Sequence, residues 1–179
     1  VFNELDKKTW GIVGLGSIGR RVAKVAETFG CNVIYFSASQ RTYDTQYKRV
    51  SFDELLAESD IISIHAPLNE KTENLFDGAA FEKMKTSAYL LNLGRGPIVN
   101  ASALTTALKE NKIAGAGLDV IDREPIERDN PLLQIQDSNR LIITPHIAWA
   151  TYEARVRLMD EVYENIKAFS EGRDRNRVV

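Results

Sequence analysis

The chain has 179 residues, 44% of them hydrophobic and 27% charged, which is the size and polarity of one soluble domain with a real core. A net charge of −2 supplies no basic stripe to neutralise a nucleic-acid backbone, and no apolar run approaches membrane-spanning length, so neither partner is expected. The single cysteine, Cys31, rules out an internal disulfide or a cysteine metal cluster and points to a reducing cytoplasm.

In chain order, the first apolar run (9–14) leads into Gly14-Leu15-Gly16-Ser17-Ile18-Gly19 and then a helical pattern over 18–29. A strand, three glycines spaced G-x-G-x-x-G and a helix form a dinucleotide-binding turn. The first glycine permits the turn, the second admits a pyrophosphate, the third lets helix and strand pack, and the helix start attracts phosphate. A second strand (32–36) follows. Its end is where an acid ordinarily binds the adenosine ribose, and here Ser37 stands instead, with Ser39, Gln40 and Arg41 after it. Serine neither supplies an anionic acceptor nor repels a 2′-phosphate. Arg41 is read either as a partner for such a phosphate or as a solvated loop residue, so NAD and NADP both remain open.

Next come a helix (52–58), a strand (60–65) ending in His65, a helix (78–84) and a strand (88–93). The last runs into Asn92-Leu93-Gly94-Arg95-Gly96. An arginine between glycines at a strand's carboxyl end has little packing value, and its guanidinium can hold a carboxylate in a fork. A helix (101–110) precedes a strand (114–119) ending in Asp119. The stretch 120–140 shows no clear secondary structure and carries Glu124. Such a loop after a strand's carboxyl end favours function. The strand 141–144 is followed by His146, and a last helix, roughly 152–171, repeats Val156, Met159, Val162, Tyr163, Ile166 and Phe169 at helical spacing.

Short strands without polar alternation, separated by helices, predict an α/β fold: a Rossmann-type doubly wound parallel sheet with helices on both faces. Only two histidines exist. Paired with Glu124, which would stabilise its charged ring, His146 makes the better proton donor and acceptor, and His65 is read as crevice lining.

Taken together, these stretches resemble the nucleotide-binding domain of the D-isomer-specific 2-hydroxyacid dehydrogenases: the glycine turn, HAPLNEKT, NLGRG, GLDV with its following EP, and PH occur in family order. The resemblance implies hydride transfer between NAD(P) and a small D-2-hydroxy acid or its 2-oxo acid. Arg95 would bind the substrate's carboxylate and carbonyl, His146 would act as general acid and base, and Glu124 would be its partner. The coenzyme would contact Gly14, Gly16, Ser17, Ile18 and Gly19 at the turn. Ser37 and Arg41 would lie near the ribose, and Ala66, Pro67 and Leu68 on the adenine side. Leu93, Gly94, Asp119 and Ala148 would complete the set, with Asp119 on the nicotinamide amide. No metal is implied.

The family's second, substrate-binding domain has no counterpart ahead of the glycine turn. The chain, starting at Val1, is therefore read as a fragment: a coenzyme domain over 1–179, with 150–172 as its C-terminal helix, expected to turn over little substrate alone. A homodimer is implied as well. Two other readings are a dinucleotide-sensing, corepressor-like binding protein with the same fold and a methyltransferase with a similar turn. Formate dehydrogenase shares the fold but needs no Glu124–His146 pair.

Overall fold

In the computed structural model, which describes residues 3–39 and 45–178, apolar runs form β1 (Thr9–Val13), β2 (Asn32–Phe36), β4 (Ile61–Ile64), β5 (Tyr89–Asn92), β6 (Gly115–Leu118) and β7 (Leu141–Ile143). Ile12 and Val13 are adjacent and both buried, which happens only when both faces of a sheet are covered. The remaining strand, β3 (Lys48–Arg49), was not expected: it is two exposed residues that pair with Ile34 and Tyr35 at the sheet edge.

All pairings are parallel, and the strand order is β3-β2-β1-β4-β5-β6-β7. Strand order therefore reverses between β1 and β4, the place where open α/β sheets bind ligands outside their carboxyl ends.

The faces separate by alternation along each strand. Val13, Ile34, Ile62, Ile64 and Leu90 pack with Leu55, Phe81 and Leu104 from α2 (Phe52–Glu58), α3 (Gly78–Lys83) and α4 (Ala101–Lys109). Their strand neighbours Ile12 and Tyr35 pack with Leu15 and with Ala23 of α1 (Ser17–Thr28) on the other face. A chain of rings, Phe36–Phe52–Phe76–Phe81, with centroids 5.2, 5.4 and 6.4 Å apart, joins the first of these layers.

The stretch 120–140 is not wholly irregular. A 3-10 turn, Pro131–Gln134, is capped by Asn130, whose Oδ1 accepts from Leu132 N at 3.0 Å, and it buries Leu132.

Two compact units are present, Val1–Pro145 and His146–Val179. The second contains α5 (Tyr152–Ser170), whose N-cap Thr151 accepts from Ala154 N at 3.2 Å. Its spaced apolar residues, among them Met159, Tyr163, Ile166 and Phe169, are exposed. No described helix is long and apolar enough to cross a membrane.

Candidate coenzyme and active site

The candidate site residues of the first unit follow β1, β2, β4, β5 and β6 at the same sheet edge. After β1, Gly14 has φ +93°, and a Cβ there would come 2.8 Å from Ala66 N, so dihedral and contact both demand glycine. Gly14 N donates to Phe36 O at 2.9 Å and His65 N to Val13 O at 2.8 Å, which ties the ends of β1, β2 and β4 together. At Gly19 a Cβ would overlap the Gly14 carbonyl. Gly16 is different: no protein atom lies within 4 Å of the place a Cβ would take. Its bare backbone is open on that side.

Gly16 is also the N-cap of α1. The other described α-helices are capped by the side chains of Ser51, Asp77, Asn100 and Thr151, whereas α1 has no side-chain cap and no acid in its first turn. A helix start without a side-chain cap or a nearby acid is the kind of place that suits the pyrophosphate of a dinucleotide. Ser17 and Ile18, both exposed, begin that turn.

Beyond β2, Ser37 is buried with its Oγ 3.2 Å from Ser39 Oγ. Arg41 lies outside the described residues. Beyond β4, His65 Nε2 is 3.1 Å from Ser63 Oγ, which also accepts the Trp10 indole N–H at 2.9 Å. Burial lowers the His65 pKa to about 4, so the ring is neutral at physiological pH. Ala66 is buried beneath Gly14, and Pro67 and Leu68 are exposed. Thr72 Oγ1 pins their turn by donating to Pro67 O at 2.7 Å.

Beyond β5, the side chain of Asn92 holds the Leu93–Arg95 turn: Gly94 N donates to its Oδ1 at 3.1 Å, and its Nδ2 donates to Arg95 O at 3.0 Å. Leu93 and Arg95 are exposed, and Arg95 Nη1 donates to Gly94 O at 2.7 Å. Beyond β6, Asp119 is buried; its N donates to Asn92 O at 3.0 Å and its Oδ1 accepts from Thr144 Oγ1 at 2.6 Å. Glu124 Oε1 accepts from Ile121 N at 3.2 Å.

The structure therefore brings the glycine turn, Ala66, Gly94, Arg95 and Asp119 to one edge of one sheet. His146 opens the second unit with φ +54°, and its carbonyl accepts from Trp149 Nε1 at 3.0 Å; Ala148 is exposed. Among the described residues no group of His, Cys, Asp or Glu could hold a metal ion. Sequence reading passed over Asn92 and Thr72. The only signal for Asn92 was a polar residue closing an apolar strand just ahead of glycine.

The family model for the D-isomer specific 2-hydroxyacid dehydrogenase, NAD binding domain, matches residues 1–148. A hydroxypyruvate reductase of Blautia hydrogenotrophica is 42% identical over 171 residues, covering 94% of this chain and 52% of that protein. A D-lactate dehydrogenase of Aquifex aeolicus, solved with NAD and lactic acid, superposes with a TM-score of 0.87 at 32% identity, over 96% of this chain and 56% of that one. An acyclic imino acid reductase solved with NADPH and D-Arg gives 0.87 at 36% identity, over 100% and 56%. The chain thus spans about half the length of the relatives it matches. Family model, relatives and sheet-edge geometry agree: the chain belongs to the D-isomer-specific 2-hydroxyacid dehydrogenases, as their NAD-binding domain.

Proposed function

We propose that the protein interconverts a small 2-oxo acid and its D-2-hydroxy acid with NAD(P) as the redox partner. The observation that carries this reading is the shared edge: the uncapped start of α1, the Gly14 turn, Arg95 and Asp119 all follow carboxyl ends of strands in one parallel sheet. The first turn of α1, with Ser17 and Ile18, would hold the pyrophosphate, Pro67 and Leu68 would cover the adenine side, and Asp119 would hold the nicotinamide amide. When bound, the coenzyme supplies or accepts the hydride.

The protein's own groups do the rest. Arg95 binds the substrate carboxylate and polarises its carbonyl. His146 gives a proton to the carbonyl oxygen in reduction and takes it back in oxidation, and Glu124 favours the charged ring. The dehydrogenase relative was solved with NAD and the imino acid reductase with NADPH, which supports taking either coenzyme. Family habit supports a homodimer, and the single cysteine, Cys31, fits a reducing cytoplasm.

Steady-state kinetics of the intact protein over hydroxypyruvate, glyoxylate and pyruvate, with NADH and NADPH, test the reading. His146→Ala is expected to lower kcat by about 10²–10⁴-fold and leave coenzyme affinity unchanged. Equal damage from His65→Ala would move the proton donor to the other histidine.

A further inference from the structure

We propose that Asn92 is a positioning residue for Arg95, and that Gly96 makes the turn carrying Arg95 and the segment carrying Glu124 a single rigid piece. The inference rests on the role given above to Arg95.

Asn92 is the last residue of β5 and is fully buried. A buried amide must find partners for its carbonyl and its N–H groups. Asn92 finds them in the main chain of two consecutive residues, Gly94 and Arg95. Its Oδ1 takes the N–H of the 93–94 peptide at 3.1 Å, and its Nδ2 gives to the carbonyl of the 95–96 peptide at 3.0 Å. The 94–95 peptide lies between these two anchors, and its carbonyl accepts from Arg95 Nη1 at 2.7 Å. One side chain therefore fixes the peptides on either side of the one that orients the guanidinium. Through its own carbonyl, which accepts from Asp119 N at 3.0 Å, Asn92 also joins this turn to the end of β6.

Gly96 closes the arrangement. A Cβ there would overlap the Ile121 carbonyl, so the two main chains meet with no side chain between them. The N–H of the same Ile121 donates to Glu124 Oε1 at 3.2 Å. A purely structural asparagine would satisfy a turn anywhere along its neighbours; this one has one end of its amide on Gly94 N and the other on the carbonyl of Arg95, the residue proposed to bind substrate.

The test uses the intact protein and follows thermal midpoint, coenzyme affinity, and KM and kcat for a 2-oxo acid such as hydroxypyruvate. Asn92→Ala is expected to lower kcat/KM by about 10- to 100-fold while coenzyme affinity falls far less. Asn92→Asp keeps the acceptor for Gly94 N and loses the donor to Arg95 O. Its kcat/KM relative to wild type should recover as pH falls, because a protonated carboxyl can donate again. This variant carries the test if the alanine does not fold. In an Arg95→Ala background, removing Asn92 should bring no further loss. Losses that add, or an Asn92→Ala protein that loses only thermal stability, would overturn the inference alone. A wild-type protein that reduces no 2-oxo acid, or an Arg95→Ala protein with full activity, would overturn the reading of the site and this inference with it.

Discussion

Gly14 and Gly16 share one turn, yet a methyl group added to each meets different surroundings. At Gly14 it meets the Ala66 main chain and a left-handed φ of +93°; at Gly16 it meets no protein atom within 4 Å. Gly14→Ala should therefore destabilise the fold by about 1–3 kcal/mol. Gly16→Ala should leave the thermal midpoint almost unmoved and still weaken coenzyme binding, because the methyl would stand in the proposed path of the pyrophosphate. Thermal unfolding alongside a fluorescence titration of NADH separates the two; equal midpoint losses would contradict the assignment. His65 offers a pH test. Its folded pKa of about 4 lies below the ordinary histidine value of 6.5. The unfolded chain therefore takes up a proton first, and stability falls as pH drops from about 6.5 to about 4, then levels off. The loss from this group is at most about 3 kcal/mol. Denaturant unfolding across that window should show the slope, and His65→Gln should flatten it. Arg95, Glu124, His146 and Asp119 were legible as candidates because they are polar residues following apolar strands. Asn92 was not, because nothing in a sequence says that both ends of one amide are occupied.

At the scale of elements, the strands were legible where burial on two sides leaves an unbroken apolar run, as in β1, β2 and β4. Their ends shift by a residue where local geometry decides: the predicted strand 9–14 stops at Val13 because Gly14 turns the chain, and α1 begins at Ser17 rather than Ile18. β3 escaped because an edge strand of Lys48 and Arg49 exists through pairing with Ile34 and Tyr35, not through its own composition. The Pro131–Gln134 turn escaped for a similar reason. Its signature is Asn130 capping Leu132, which is visible only once Leu132 is known to be buried. The cap of α2 was readable in principle. Ser51 and Glu54 form a reciprocal box, with Glu54 N to Ser51 Oγ at 3.2 Å and Ser51 N to Glu54 Oε2 at 3.0 Å.

For the whole molecule, coenzyme binding and folding are linked, since a ligand held by several strand ends binds only the folded chain. At a hundredfold excess over its Kd, a coenzyme adds about 2.7 kcal/mol to stability and raises the thermal midpoint. Comparing NADH with NADPH at equal concentration then reads the preference directly. Ser37→Asp should shrink the NADPH shift and spare the NADH shift, because a carboxylate repels a 2′-phosphate and accepts from a ribose hydroxyl; unchanged shifts with both would remove Ser37 from the ribose end. The uncapped start of α1 bears on any attempt to make this domain more heat-resistant. Gly16→Asp looks like an obvious improvement, since it would supply the acceptor that the helix lacks. It would also set a permanent anion on the amides proposed above to take the pyrophosphate. On the proposed reading, tolerance to heat and grip on the nucleotide compete for the same few hydrogens, and the native glycine would leave them to the nucleotide.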